Sequence, residues 1–107
     1  MLKIYEVARS VVRRMAPVCE AIERRDGDLS RQARRAMASV LLNMREGAFS
    51  QGKNRNARYW NAAGSMNEVL GALDAAEDLG YVAPVDEALR RDAACVIAGL
   101  RRIVGTR

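Results

Sequence analysis

An all-α, up-down-up-down four-helix bundle is the fold this 107-residue chain predicts. Three observations carry that expectation. Four stretches of about 20 residues each place apolar side chains at alternating spacings of three and four, the stripe of a helix buried along one face. Half of the residues are apolar but only 5% are aromatic, which suits closely packed helices better than a sheet. The segments between the stripes are short and carry glycine, proline or asparagine. The length supports one core, so residues 1–107 are read as a single domain.

The first helix is expected over residues 2–25, with Ile4, Ala8, Val11, Met15, Val18 and Ile22 as its stripe. Pro17 falls inside it and predicts a kink, since it lacks a donor and crowds the carbonyl of Arg13. Gly27 is the expected stop and Asp28 the next cap. The second helix is expected over 29–46, on Leu29, Ala33, Ala36, Val40 and Met44, with Met37 and Leu41 alongside. Asn43, among Leu41, Leu42 and Met44, is expected to be partly buried and to need partners for its amide. The third is expected over 56–79, on Tyr59, Ala62, Ala63, Met66, Leu70, Leu73 and Ala76. Gly64 and Gly71 interrupt it, which is most easily tolerated where another backbone comes close. Leu79-Gly80-Tyr81 reads as a glycine-stopped helix end. The fourth is expected over 85–104, on Leu89, Ala93, Val96, Leu100 and Ile103, with Gly105-Thr106-Arg107 fraying. Val7, Val12, Cys19 and Ile97 widen these stripes, which points to self-association.

Function classes are narrowed mostly by what is missing. There is no histidine, which removes Cys₂His₂ and Cys₃His zinc sites and any Ser-His or Cys-His nucleophile. Cys19 and Cys95 read as two buried free thiols. No apolar run approaches the ~18 residues of a membrane span, and no signal-peptide pattern opens the chain, so a cytoplasmic protein is expected. Gly47 to Lys53 has the spacing of a phosphate loop, but Asn54 stands where Ser or Thr must hold the metal. No catalytic residue, cofactor or metal ligand is assigned, and an enzyme is not expected.

Charge is more informative. The formal net charge is +5; residues 28–58 hold seven basic and two acidic groups, and residues 59–80 hold four acidic groups and no basic one. One reading is that the second and third helices neutralise each other along a seam. The other is that the excess cations meet a polyanion. Asn43–Trp60 gathers Arg45, Lys53, Arg55 and Arg58 about a turn bracketed by Gly47 and Gly52, with Asn54 or Asn56 available as a cap. With Arg31 and Arg34 these are the candidate nucleic-acid-binding residues. Tyr59 and Trp60 either close the bundle end or stack on an unpaired base.

Gln32 with Arg35-Ala36, then Asn43-Met-Arg-Glu46-Gly47, Ala62-Ala-Gly64-Ser65-Met-Asn-Glu68 and Leu79-Gly80-Tyr81 resemble the four-helix-bundle protein family. That family includes proteins encoded in intervening sequences of bacterial large-subunit ribosomal RNA genes and the accessory variability determinants (Avd) of diversity-generating retroelements. The resemblance spans about residues 4–100. It implies a ring-shaped homopentamer and, for the retroelement members, a basic surface that binds a reverse transcriptase and its structured RNA; RNA or RNA–DNA is the nucleic-acid partner expected for this chain. Asn61 stands where the family more often shows an apolar residue, so the third helix is expected to be wetter there. An antiparallel second and third helix would set Arg35 opposite Glu68 as a structural polar pair, with Asn43 and Glu46 able to extend it; the alternative leaves both groups solvated. The expected function is a non-enzymatic oligomeric adaptor for RNA or a reverse transcriptase. The alternative is a purely structural or protein-interaction bundle.

Overall fold

In the computed structural model, which describes residues 2–105, each apolar stripe forms one helix. α1 is Leu2–Glu23, α2 Gly27–Phe49, α3 Gly52–Asp78 and α4 Glu87–Val104. Each packs on its sequence neighbours and α1 closes back on α4, with α2 and α3 packed most extensively. The result is an antiparallel rod of 42 × 24 × 23 Å. No strand occurs among the described residues, and no helix there is long and apolar enough to cross a membrane.

The core follows the expected periodicity. Ala8, Val11, Met15, Cys19 and Ile22 from α1 meet Ala33, Ala36, Val40 and Met44 from α2. Met66, Val69, Leu73 and Ala76 from α3 and Leu89, Ala93, Val96 and Leu100 from α4 complete it. The residues that widen the stripes, including Val7, Val12, Leu41 and Ile97, pack against this same core. Among the described residues, Leu42, Phe49, Trp60 and Leu79 are the large apolar side chains left exposed. Cys95 is exposed, contrary to expectation, because the buried face of α4 runs through Ala93 and Val96 on either side of it. Cys19 is a buried free thiol, and burial pushes its ionisation up.

Helix boundaries differ from the sequence reading by one to four residues, most at the α2–α3 turn; α1 ends at Glu23 and α4 starts at Glu87. Asp26, not Asp28, caps α2, its carboxylate accepting from the Leu29 N–H at 3.0 Å, so Gly27 is the first helical residue and not a stop. Pro17 lies within α1 on its exposed side, and the helix continues through it without a break, as expected. The turn expected over residues 47–56 shrinks to Ser50 and Gln51, both extended, with Gly52 at φ 60° opening α3. Neither Asn54 nor Asn56 caps it; Gln51 holds the cap position and makes no side-chain bond there. Leu79-Gly80-Tyr81 ends α3 as expected. Gly80 has φ 76°, and the Tyr81 N–H reaches back to the Ala76 carbonyl at 2.8 Å. Thr106 and Arg107, expected to fray, lie outside the described residues.

The close approaches occur at glycines other than those expected. Gly64 and Gly71 lie on the exposed side of α3, and a Cβ at either would meet nothing within 4 Å. Gly47, in contrast, is buried under the Tyr59 ring, where a Cβ would sit 2.5 Å from Cε1. Gly99 lies likewise under Ile4. These two contacts draw α2 to α3 and α1 to α4 at one end of the rod.

Candidate functional site

Antiparallel packing brings the N-termini of α1 and α3 together with the C-termini of α2 and α4. Their identity as one end is fixed by contacts. The Arg45 guanidinium lies over the Tyr5 ring and that of Arg101 over Trp60, each 5.8 Å from the centroid. Arg58 reaches Glu46 across α2 and α3 at 3.2 Å. At this end residues 2–9, 43–60 and 97–105 contribute Lys3, Arg9, Arg45, Lys53, Arg55, Arg58, Arg101 and Arg102, against Glu6 and Glu46 alone. The turns of the opposite end and the helix halves that run into them hold more acidic residues than basic ones. The bundle is therefore polarised along its long axis.

The carboxylates at the basic end are committed. Glu6 pairs with Arg9 at 3.7 Å and Glu46 with Arg58. Among the described residues, no carboxylate lies within 4.0 Å of Lys3, Arg45, Lys53, Arg55, Arg101 or Arg102. Three of these cations rest on aromatic faces instead. Arg45 covers Tyr5 and Arg101 covers Trp60; Arg55 lies 5.8 Å from the Tyr59 centroid and leaves its Nε buried without a partner. Such contacts hold a guanidinium stem in place and leave its charge available to an anion. Burial raises the Tyr59 phenol above its ordinary range, against the lowering pull of Arg55, so the ring stays neutral at physiological pH.

The six candidate residues divide between the two ends. Arg45, Lys53, Arg55 and Arg58 share the basic end, Arg58 already paired. Arg31 and Arg34 stand in the first turns of α2 at the other end, where Arg31 pairs with Asp28 at 2.7 Å and Arg34 with Glu23 of α1. Lys3, Arg9, Arg101 and Arg102 also stand at this end and are not among the six candidates. The available signal was connectivity: in an antiparallel bundle the first and fourth helices must bring their outer ends beside the α2–α3 turn.

The expected neutralisation of α2 by α3 does not occur. Among the described residues, the one ion pair between them, Arg58–Glu46, takes its cation from α3 and its carboxylate from α2. The acidic end of α3 turns to α4, where Arg90 reaches Asp74 and Glu77 at 2.8 Å each. Arg35 and Glu68 line one recess with Asp28, Gln32, Ala36, Ser39 and Ser65, as the antiparallel register requires, yet they form no ion pair within 4.0 Å. The polar rung lies one turn along instead. Ser39 and Ser65 share a 2.8 Å hydroxyl bond, and the Asn43 amide donates to the Ser39 carbonyl and hydroxyl, each at 3.0 Å. Two short side chains bridge the helices there, and Asn43 finds its partner without Glu46. Asn61 is exposed, in keeping with the wetter third helix.

No curated protein and no solved structure gives a significant match to this sequence. The sequence profile of one family does, over residues 1–100: the 23S rRNA-intervening sequence proteins. A match of that extent, on a chain that folds as four helices in the expected order, makes this protein a member of the 23S rRNA-intervening sequence protein family.

Proposed function

We propose that this protein is a non-enzymatic, cytoplasmic adaptor that self-associates and binds RNA through the basic end of its bundle. The observation that carries this reading is the set of six cations at one end, from all four helices, with no carboxylate beside them. Phosphates would neutralise such a cluster and release the counterions condensed on the nucleic acid. Family membership is compatible with an RNA partner, and the likeness to retroelement accessory proteins adds a reverse transcriptase with its RNA as the ribonucleoprotein form of that partner. A homopentamer would present the basic end five times, so individually weak contacts would add, provided one RNA reaches several of them. Self-association is supported by exposed Leu42 and Phe49 on α2, and by Gly64 and Gly71 on the open side of α3. Each such glycine costs about 1 kcal/mol in an exposed helix interior, a cost that a second backbone lying close would explain.

Those same exposed apolar residues favour the second reading, a protein-interaction bundle with no nucleic-acid role. Salt separates the two. RNA affinity should fall steeply and log-linearly between low and moderate salt, whereas a mainly apolar contact should hardly change. Light scattering after size exclusion should give a mass several times 11.8 kDa. RNA binding that ignores salt, or no RNA binding at all, would leave the protein-interaction reading standing; a monomer would remove the multivalent form of the proposal.

A further inference from the structure

Tyr59 and Trp60 are neighbours in sequence with opposite surroundings. Tyr59 is 3% exposed and seals the core against Gly47; Trp60 is 47% exposed on the outer side of α3. The indole borders a recess of about 280 Å³ whose remaining walls are Lys53, Asn56 and Ala57 of α3 and Val104 of α4. Arg101, one turn before Val104, lays its guanidinium over the ring. Among the described residues no acidic side chain lines the recess, and none occurs within residues 52–60 or 97–105. A large flat apolar ring with one cation over it, a second cation in the wall and a small open volume between two helices are thus assembled at one point.

We infer that this recess takes one unpaired base of single-stranded RNA, stacked on Trp60, with the flanking phosphates at Lys53 and Arg101. The inference rests on the RNA reading above and narrows it to a substrate class. An indole matches the π face of any base, so such a site is tolerant of sequence but demands that the base be free of a duplex. A duplex keeps its bases stacked inward and offers this end only phosphates, which would engage the cations and leave Trp60 untouched. Asn56 adds an amide able both to donate to and to accept from a base edge. An acidic peptide would satisfy Lys53 and Arg101 but has no ring to fill the apolar floor formed by Trp60, Ala57 and Val104.

Trp60 is the sole tryptophan, so emission excited at the red edge, where the three tyrosines scarcely absorb, reports on this ring. The chain is titrated with an oligoadenylate, an abasic phosphodiester strand of equal length, an RNA duplex and an oligoglutamate. Quenching is expected with the oligoadenylate only. Trp60→Leu should weaken oligoadenylate binding by roughly 5- to 150-fold, the range of base–aromatic stacking, and Trp60→Phe should restore part of it. The salt slope should stay as in the wild type, because every phosphate keeps its cation. If the oligoadenylate binds without quenching, or Trp60→Leu and the abasic strand bind as well as their counterparts, the recess is not a base site and the broader RNA reading survives. If neither strand nor duplex binds at all, that reading falls and this one with it. Quenching by oligoglutamate that competes with the oligoadenylate would assign the recess to an acidic protein. Circular dichroism checks each variant, and should Trp60→Leu fail to fold, quenching of the wild type by the oligoadenylate against the abasic strand decides alone.

Discussion

The two ends of this bundle are built from the same residue types and put them to different use. At the end holding the α1–α2 and α3–α4 turns, several charges are tied to one another, although Arg25 lies over the Tyr81 ring there. Arg90 holds Asp74 and Glu77, Arg34 holds Glu23, Arg31 holds Asp28, and aspartates cap α2 and α4. At the other end α3 starts without a side-chain cap, and most cations lie on aromatic rings or in water. An arginine beside a carboxylate has its charge answered within the fold; an arginine on a tyrosine does not. The first end is therefore organised for stability. On the proposed reading, the second keeps its charge for a partner.

The largest effect should come from separating those roles by substitution. Replacing Arg45, Lys53, Arg101 and Arg102 together with glutamine should lower single-stranded RNA affinity by about 10²- to 10³-fold at ~0.1 M salt. The salt slope should flatten by ~0.7 for each phosphate no longer neutralised. Arg55 and Arg58 are left in place because the first is partly buried, its Nε enclosed beside the core residue Tyr59, and the second pairs with Glu46. The matching control, Arg31 and Arg34 to glutamine at the opposite end, should leave affinity and slope close to the wild type. Equal losses from the two variants would mean that binding reads total charge and not its placement.

Stability should show the reverse preference. Glu77 is 19% exposed; its carboxylate accepts from the Val85 N–H at 2.9 Å and from Arg90 at 2.8 Å, so it ties the α3–α4 loop to both helices. Glu77→Ala should cost about 2–3 kcal/mol in urea unfolding, since it strands a loop amide and a partly buried guanidinium. Arg45→Ala at the basic end removes one exposed cation–aromatic contact and should cost no more than about 1 kcal/mol. A larger loss for Arg45 than for Glu77 would invert the division of labour between the two ends.

The glycine contacts test a smaller difference, and one that the sequence concealed. Gly47→Ala would drive a Cβ into the buried Tyr59 ring, an overpacking of about 1–3 kcal/mol that exceeds the ~1 kcal/mol alanine recovers in a helix. Gly99→Ala meets the end of the half-buried Ile4 side chain, which can rotate away, and should stay within about 0.5 kcal/mol of the wild type. Thermal or urea unfolding of both variants provides the comparison. The apolar stripes and the Gly80 stop were legible in the sequence because burial and a positive φ leave local signatures. The role of Gly47 was not, because it depends on Tyr59 twelve positions away on another helix. The same reason hid the charge polarity: Lys3, Arg45, Lys53 and Arg101 are scattered along the chain and meet only once four helices are packed. Asn54 and Asn56 read as turn residues by type, yet both are absorbed into α3 once Gly52 has reversed the chain.

The smallest effect expected is the coupling between Arg35 and Glu68. Antiparallel register alone predicts that they face each other, and they do line one recess, but no ion pair forms and both side chains are exposed. In water at such a site the Coulomb gain is offset by the entropy of holding two long side chains still. A double-mutant cycle on Arg35→Ala and Glu68→Ala should therefore give a coupling below about 0.5 kcal/mol, with each single change equally mild. Ser39 and Ser65, one turn along, are part-buried and bonded at 2.8 Å, with Asn43 donating into the same hydroxyl. Ser65→Ala leaves that network without one partner and should cost about 1 kcal/mol, more than either change in the charged pair. If instead Arg35 and Glu68 couple by several kcal/mol, the recess must close around them in solution, and the charged pair, not the serine rung, would set the register of α2 against α3.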